Sequence, residues 1–131
     1  MRNERVIGCA VLFLSGAAAA QGKRTVTPEP VFTVEAKLAL KGEAEATVVV
    51  RDWIIHNDSR VERLPEEGML VVELRSGTRV TVVIDGKREE HYASETWLVP
   101  AGKAMGIETG RDSVILHTLA LRRAATPPRI R

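Results

Sequence analysis

The feature that most constrains this chain is a recurrence of short apolar runs that alternate residue by residue and are rich in β-branched side chains. They span Val31–Ala36, Ala46–His56, Met69–Arg75, Arg79–Ile84, Thr96–Val99, Met105–Thr109 and Ser113–Leu121. A period of two puts successive side chains on opposite faces of a pleated strand, so each run predicts a strand. Asn57–Ser59, Ser76–Thr78, Asp85-Gly86, Ala101-Gly102 and Gly110–Asp112 lie between them, residues that tolerate tight or left-handed turns. Asp85-Gly86 after "VTVVI" signals a hairpin, because a type I′ turn needs positive φ at both central positions. The one competitor for a helix, Glu35–Ala46, is rich in helix formers. It is broken by Gly42 and lacks a long apolar stripe, so at most a turn or a short irregular segment is expected there. Strands at this spacing argue an all-β sandwich or barrel.

The first twenty residues follow a different pattern. Arg2 and Arg5 give a basic start, Val6–Leu14 an apolar run, and Ala17–Ala20 a row of small side chains. That order is the secretory leader pattern, with Ala18 and Ala20 suiting a cleavage pocket for small residues and a mature start near Gln21. The run is too short to cross a bilayer, which takes about 20 apolar residues. A membrane anchor or a first buried helix is the alternative; no charged stop-transfer segment favours it. "VIGC" ends like a lipoprotein box, but most of the apolar run follows Cys9 rather than preceding it. The expected organisation is a leader at 1–20, a strand and irregular segment at 21–45, one barrel domain at 46–123 and a frayed, proline-broken tail at 124–131.

Cleavage would remove Cys9, the only cysteine, leaving no disulfide and no thiolate ligand or nucleophile. About 110 residues are ample for one domain that relies on its own core. Arg2, Arg5 and Glu4 carry one of the two net positive charges, so the mature chain is at +1. Lysines and arginines alternate with acids, and five aromatic residues are present in all, a composition that excludes a basic nucleic-acid footprint.

Few residues offer chemistry. His117 shares a strand face with Ile115, Leu119 and Leu121, which predicts a side chain aimed into the core, as a bonded structural histidine or a general base. His56 precedes a turn at the expected rim, and His91 falls in a polar stretch expected to be a solvated loop. A site of His56, His117 and Glu66 is the one metal or catalytic cluster these residues suggest. Trp53 and Trp97 suit a pocket mouth, packing between sheets or a dimer interface. Glu66-Glu67 and Glu89-Glu90 are adjacent pairs whose side chains would diverge on a strand.

From about Leu64 to Leu121 the chain resembles a cupin, a small jelly-roll barrel. That family's motifs have the form G-x5-H-x-H-x3,4-E-x6-G and G-x5,7-P-x-G-x2-H-x3-N. Gly77 fits the glycine closing the first, Asp85-Gly86 the hairpin between them, and "SETWLVPAGKAM" the second, with Pro100, Gly102 and Ser94 near the opening glycine. The metal ligands are missing. Counted from Gly77, the glutamate position holds Leu70 and the histidine positions hold Leu64 and Glu66, or Arg63 and Pro65 with the longer spacing; the last ligand position holds Met105 and the asparagine position Thr109. A slipped loop would offer Glu62 or Glu67, but no histidine lies between His56 and His91. Iron, manganese or nickel needs converging imidazoles and carboxylates, whereas leucine has no lone pair and a thioether suits Cu(I).

The family geometry implies that Leu70, Val72 and Leu74 on one strand and Met105, Ile107 and Thr109 on another face inward and, with His117, line an apolar ligand pocket. The reading is an all-β, cupin-like jelly-roll barrel, exported to periplasm or medium, that binds no metal or other cofactor and acts as a small-molecule-binding or interaction module. No nucleic acid and no stable membrane insertion of the mature chain are expected, and a homodimer is one form of partner. The alternative is an enzyme, either a metal-independent isomerase or lyase using His117 or His56, or a metal enzyme with relocated ligands among Glu66, His56 and His117.

Overall fold

Alternation becomes two faces in the computed structural model, which describes residues 22–39 and 45–123. The leader pattern, the tail and residues 40–44 of the helix competitor lie outside the described residues. All regular elements among those described are strands: β1 Arg24–Thr25, β2 Pro30–Leu38, β3 Ala46–Ile55, β4 Ser59–Val61, β5 Met69–Ser76, β6 Arg79–Ile84, β7 Lys87–Tyr92, β8 Thr96–Val99, β9 Met105–Thr109 and β10 Val114–Arg123. They form two five-stranded sheets, β1-β4-β9-β6-β7 and β2-β3-β10-β5-β8, packed as a jelly-roll barrel. From β3 onward the chain switches sheets at every connection except the β6–β7 hairpin. All pairings are antiparallel except β1 with β4.

Each expected apolar run is a strand. At the β6–β7 hairpin Asp85 and Gly86 have φ of 53° and 76°, the positive values a type I′ turn requires. Ser94, near the motif's opening glycine, has φ of 74°, a value natural to glycine. Three strands escaped the sequence reading. β1 and β4 are too short to alternate, and β7 reads "KREEHY", with no apolar phase. β7 is held by its hairpin to β6, pairing Ile84 with Lys87 through Arg79 with Tyr92. His91 is therefore on a strand and not in a solvated loop. β2 pairs with β3 from Phe32–Asp52 to Leu38–Ala46, so this segment belongs to the second sheet rather than leading into it.

The core lies between the sheets. Val49, Trp53, Ile55, Leu70, Val72, Leu74, Leu116 and Ala120 face inward from the second sheet. Val61, Val80, Val82, Met105 and Ile107 meet them from the first. Burying each of the larger side chains contributes about 1.5–3 kcal/mol.

Candidate functional site

The inner face of the second sheet carries one polar row. Register places Arg51 opposite Thr118, Thr118 opposite Val72, and Val72 opposite Trp97, and directly opposed residues share a face. Glu66 reaches this row from the segment between β4 and β5. That segment is pinned to β9 by Leu64 N–H donating to the Met105 carbonyl at 2.8 Å. Arg51 Nη1 donates to Glu66 Oε1 at 2.5 Å, and the Thr118 hydroxyl donates to Glu66 Oε2 at 3.1 Å. Trp53 Nε1 donates to the same hydroxyl at 3.0 Å. The Glu66 side chain is 1% exposed and that of Arg51 24%. Burial pushes the Glu66 carboxyl above its usual range, against the opposing pull of the Arg51 charge and the bonds from Thr118 and Arg51.

This arrangement does not fit the family's metal. Of the four ligand positions, Leu64, Leu70 and Met105 are buried in the apolar core. The Met105 sulfur accepts from Trp97 Nε1 at 3.5 Å. Glu66 is the only hard donor, and both its oxygens are bonded to its own chain. Arg63 and Pro65, at the longer spacing, are exposed, as are Glu62 and Glu67. Among the described residues no three histidine, cysteine, aspartate or glutamate side chains gather as a metal cluster.

His117, His56 and Glu66 do not form a site. His117 is a correction to the sequence reading: the core phase of β10 is Val114, Leu116, Thr118 and Ala120, so His117 points outward with Ile115, Leu119 and Leu121. There its Nδ1 meets Asp52 Oδ1 at 2.5 Å, with Arg75 Nη1 at 3.2 Å. His56 is exposed, and its carbonyl accepts from the Thr109 hydroxyl at 2.7 Å. The same hydroxyl accepts from Ser59 N–H at 2.9 Å, so Thr109 pins the turn at this end of the barrel. His91 stacks on Trp97, with centroids 4.0 Å apart and planes at 11°, and its Nδ1 lies 3.1 Å from Glu95 Oε1. Leu70, Val72, Leu74, Met105, Ile107 and Thr109 do face inward, but they are packed at 0–3% exposure. None of the four described grooves is lined by Leu70, Val72, Leu74, Met105 or His117.

The outer face of the same sheet carries an apolar row. Val34 opposes Val50, Val50 opposes Leu119, Leu119 opposes Val71, and Val71 opposes Leu98. One apolar row thus crosses all five strands on the solvent side. Phe32, Val34, Ile54, Leu98 and Leu119 are 38–54% exposed there. The neighbouring row is polar, running Asp52, His117 and Glu73, with Arg75 reaching Asp52 at 3.7 Å.

Arg51 and Thr118 were not among the sequence candidates. Their signal was available, since Arg51 sits in phase with the apolar positions Val49, Trp53 and Ile55. A charge in a core phase implies an internal counter-ion.

No family model matches the chain, and no curated protein does. Among solved structures it is similar to a cupin superfamily protein from Desulfitobacterium hafniense DCB-2, at 13% identity and a TM-score of 0.51, over 74% of this chain and 84% of that one. It is also similar to a cupin 2 conserved barrel domain protein from Salinispora arenicola CNS-205, at 12% identity and a TM-score of 0.49, over 70% and 76% of the two chains. The chain has the cupin fold.

Proposed function

We propose that this chain is an exported cupin-fold interaction module that works through the outer face of its second sheet, not through a metal held in the barrel. The observation that carries this reading is the apolar row Val34, Val50, Leu119, Val71 and Leu98 on the solvent side of all five strands. Apolar positions at this density on an outer sheet face mark a surface that another molecule covers. Export is supported by the basic, apolar and small-residue order of the first twenty residues, and makes periplasm or medium the destination. The packed interior and the internally bonded Glu66 speak against catalysis on a barrel-held metal.

A second reading, small-molecule binding, is favoured by a groove of about 490 Å³ beside the first sheet. Lys23, Arg79, Arg111, Asp58, Glu108 and Asp112 line it, so its ligand would be polar and carry both donors and acceptors.

The test is a photo-crosslinking amino acid placed at Leu119 and, as control, at Arg88 on the other sheet. Specific adducts in the exported fraction are expected from position 119 only; none from 119, or equal yield from both positions, overturns the reading. Elemental analysis after dialysis against iron, manganese, nickel, zinc and copper salts is the second arm. A metal near one per chain would also overturn it.

A further inference from the structure

The charges around the groove beside the first sheet define the ligand it suits, and the inference rests on the small-molecule reading above. The groove lies at the end of β9 away from Met105, and none of Leu64, Leu70 and Met105 lines it, so it is separate from the family's metal position. Its rim is built from turns. Asp58 N–H donates to the Gly110 carbonyl at 2.8 Å, Asn57 N–H to the Ser113 hydroxyl at 3.1 Å, and the Thr78 hydroxyl to Asp112 Oδ2 at 2.6 Å. The β9–β10 turn is thereby tied to both the β3–β4 and the β5–β6 turn.

The acids and the cations of the groove are unequally partnered. Each acid already has a donor. Asp58 accepts from the Asn57 side-chain amide at 3.3 Å and Asp112 from Thr78. Glu108 accepts from two Arg88 nitrogens at 2.7 and 3.2 Å, with Arg60 at 3.7 Å. Among the described residues, none of the three cations is hydrogen-bonded to a carboxylate. Lys23 donates to the Thr109 carbonyl, which carries no net charge. Arg79 forms only a loose, exposed pair with Glu90 at 3.6 Å. The Arg111 guanidinium has no ion-pair or hydrogen-bond partner among the described residues. The signs balance in number, yet the acceptors are engaged and the charged donors are not. A carboxylate or phosphate is the group that takes several charged donors at once, and a planar guanidinium matches it with two parallel bonds.

Size and shape add a second requirement. A water-sized molecule takes about 30 Å³, so a bare inorganic anion leaves most of the 490 Å³ empty. Sites for small organic molecules run from about 300 to 1,000 Å³. Tyr92 lines the groove with its ring half exposed, while its hydroxyl donates to Glu90 Oε1 at 3.0 Å and so orients the ring. An aromatic face held in this way packs against another ring and leaves its polar tip in water.

We infer that the groove takes a small ring-bearing oxyanion, its carboxylate or phosphate between Lys23, Arg79 and Arg111 and its ring against Tyr92. Nitrogen-15 amide spectra of the mature protein, titrated with benzoate, phenyl phosphate, neutral benzamide and inorganic phosphate, test it. The amides of Thr81, Gly110 and Arg111 should shift with benzoate or phenyl phosphate, and the tighter of the two tells carboxylate from phosphate. Benzamide should bind at least about tenfold more weakly, because it lacks the charge-assisted bonds. Arg111→Gln and Arg79→Gln should each weaken the charged ligand about tenfold. Tyr92→Ala should weaken it more than it weakens inorganic phosphate. All three side chains are exposed, so the fold should survive each change.

No shift at those amides from benzoate or phenyl phosphate up to about 10 mM overturns the inference. So does a double variant, Arg79→Gln with Arg111→Gln, that binds the charged ligand as tightly as wild type. Benzamide binding at the same amides as tightly as benzoate sinks the oxyanion alone and leaves the small-molecule reading; silence from all four probes sinks both.

Discussion

Replacing Arg51 with methionine tests the inner polar row directly. The change removes the cation and keeps the aliphatic stem, so Glu66 retains only the Thr118 hydroxyl at 3.1 Å. Stripping one partner from a buried ion pair costs about 3–5 kcal/mol. Two features lower that figure here. The Arg51 side chain is 24% exposed, so water already screens part of the attraction, and a buried carboxyl can take up a proton instead of staying charged. The expected loss near neutral pH is about 2–4 kcal/mol, or about 10–20 °C in Tm for a domain of this size.

Urea unfolding followed by tryptophan emission, to which buried Trp53 and half-buried Trp97 both contribute, measures it. The pH dependence carries the diagnosis. Burial already raises the Glu66 carboxyl, and without Arg51 it rises further. A carboxyl whose folded value is raised stabilises the fold below its unfolded value of about 4.5, and that contribution is lost as pH climbs through the folded value. The deficit of Arg51→Met should therefore be small near about pH 4 and reach full size above the folded value. Glu66→Leu should cost less, because Arg51 can turn its head group to water. The double variant should recover most of the loss, since an apolar pair of similar volume often replaces a buried ion pair at little cost. A deficit below about 0.5 kcal/mol at neutral pH, or one that persists on acidification, would refute the reasoning.

Four further changes probe the frame around the site. An added Cβ at Gly68 would lie 2.4 Å from the Leu121 carbonyl oxygen at φ of 90°, whereas at Gly86 it would meet nothing within 4 Å. Gly68→Ala should cost more than about 3 kcal/mol or abolish folding, and Gly86→Ala only about 1 kcal/mol, by parallel urea titrations. Thr109→Val leaves the Ser59 N–H buried without its 2.9 Å acceptor, so a loss of about 1–3 kcal/mol is expected; an unchanged urea midpoint would remove Thr109 as the pin of that turn. Hydrogen bonding from Arg88, at 2.7 and 3.2 Å, holds the Glu108 carboxyl below its usual range, so its contribution to stability is lost as pH falls through that lowered value. In Arg88→Ala the NMR titration of Glu108 should move to higher pH; an unmoved midpoint counts against the pairing.

The fold was legible because the turn chemistry was local and unambiguous. Asp85-Gly86 set one hairpin, and with Pro100 and Gly102 it supported the barrel without any ligand residue. Polar β7 was illegible for the converse reason, since its position comes from the hairpin before it and not from any phase of its own. The internal pairing of Glu66 was only half legible. Counting marked Glu66 as a hard donor, but its partners Arg51 and Thr118 lie 15 and 52 residues away in sequence and meet it only through sheet register.

The error at His117 is the more instructive one. Assigning a strand face from sequence assumes that one phase is more apolar than the other. In "VILHTLAL" the phase holding Ile115, Leu119 and Leu121 is bulkier than the one holding Val114, Leu116 and Ala120, yet it is the second that is buried. Thr118 decides the matter, because its hydroxyl joins Trp53 to Glu66 on the inside. "TVVV" in β3 and "MLVV" in β5 show the same excess, apolar on both phases where a solvated sheet face would be polar on one. Three neighbouring strands of one sheet carry this double phase, and they are the three that hold the centre of the apolar row. What made the phase unreadable in β10 is thus the property that carries the proposed interface: apolar side chains on the outer phase as well as on the inner one.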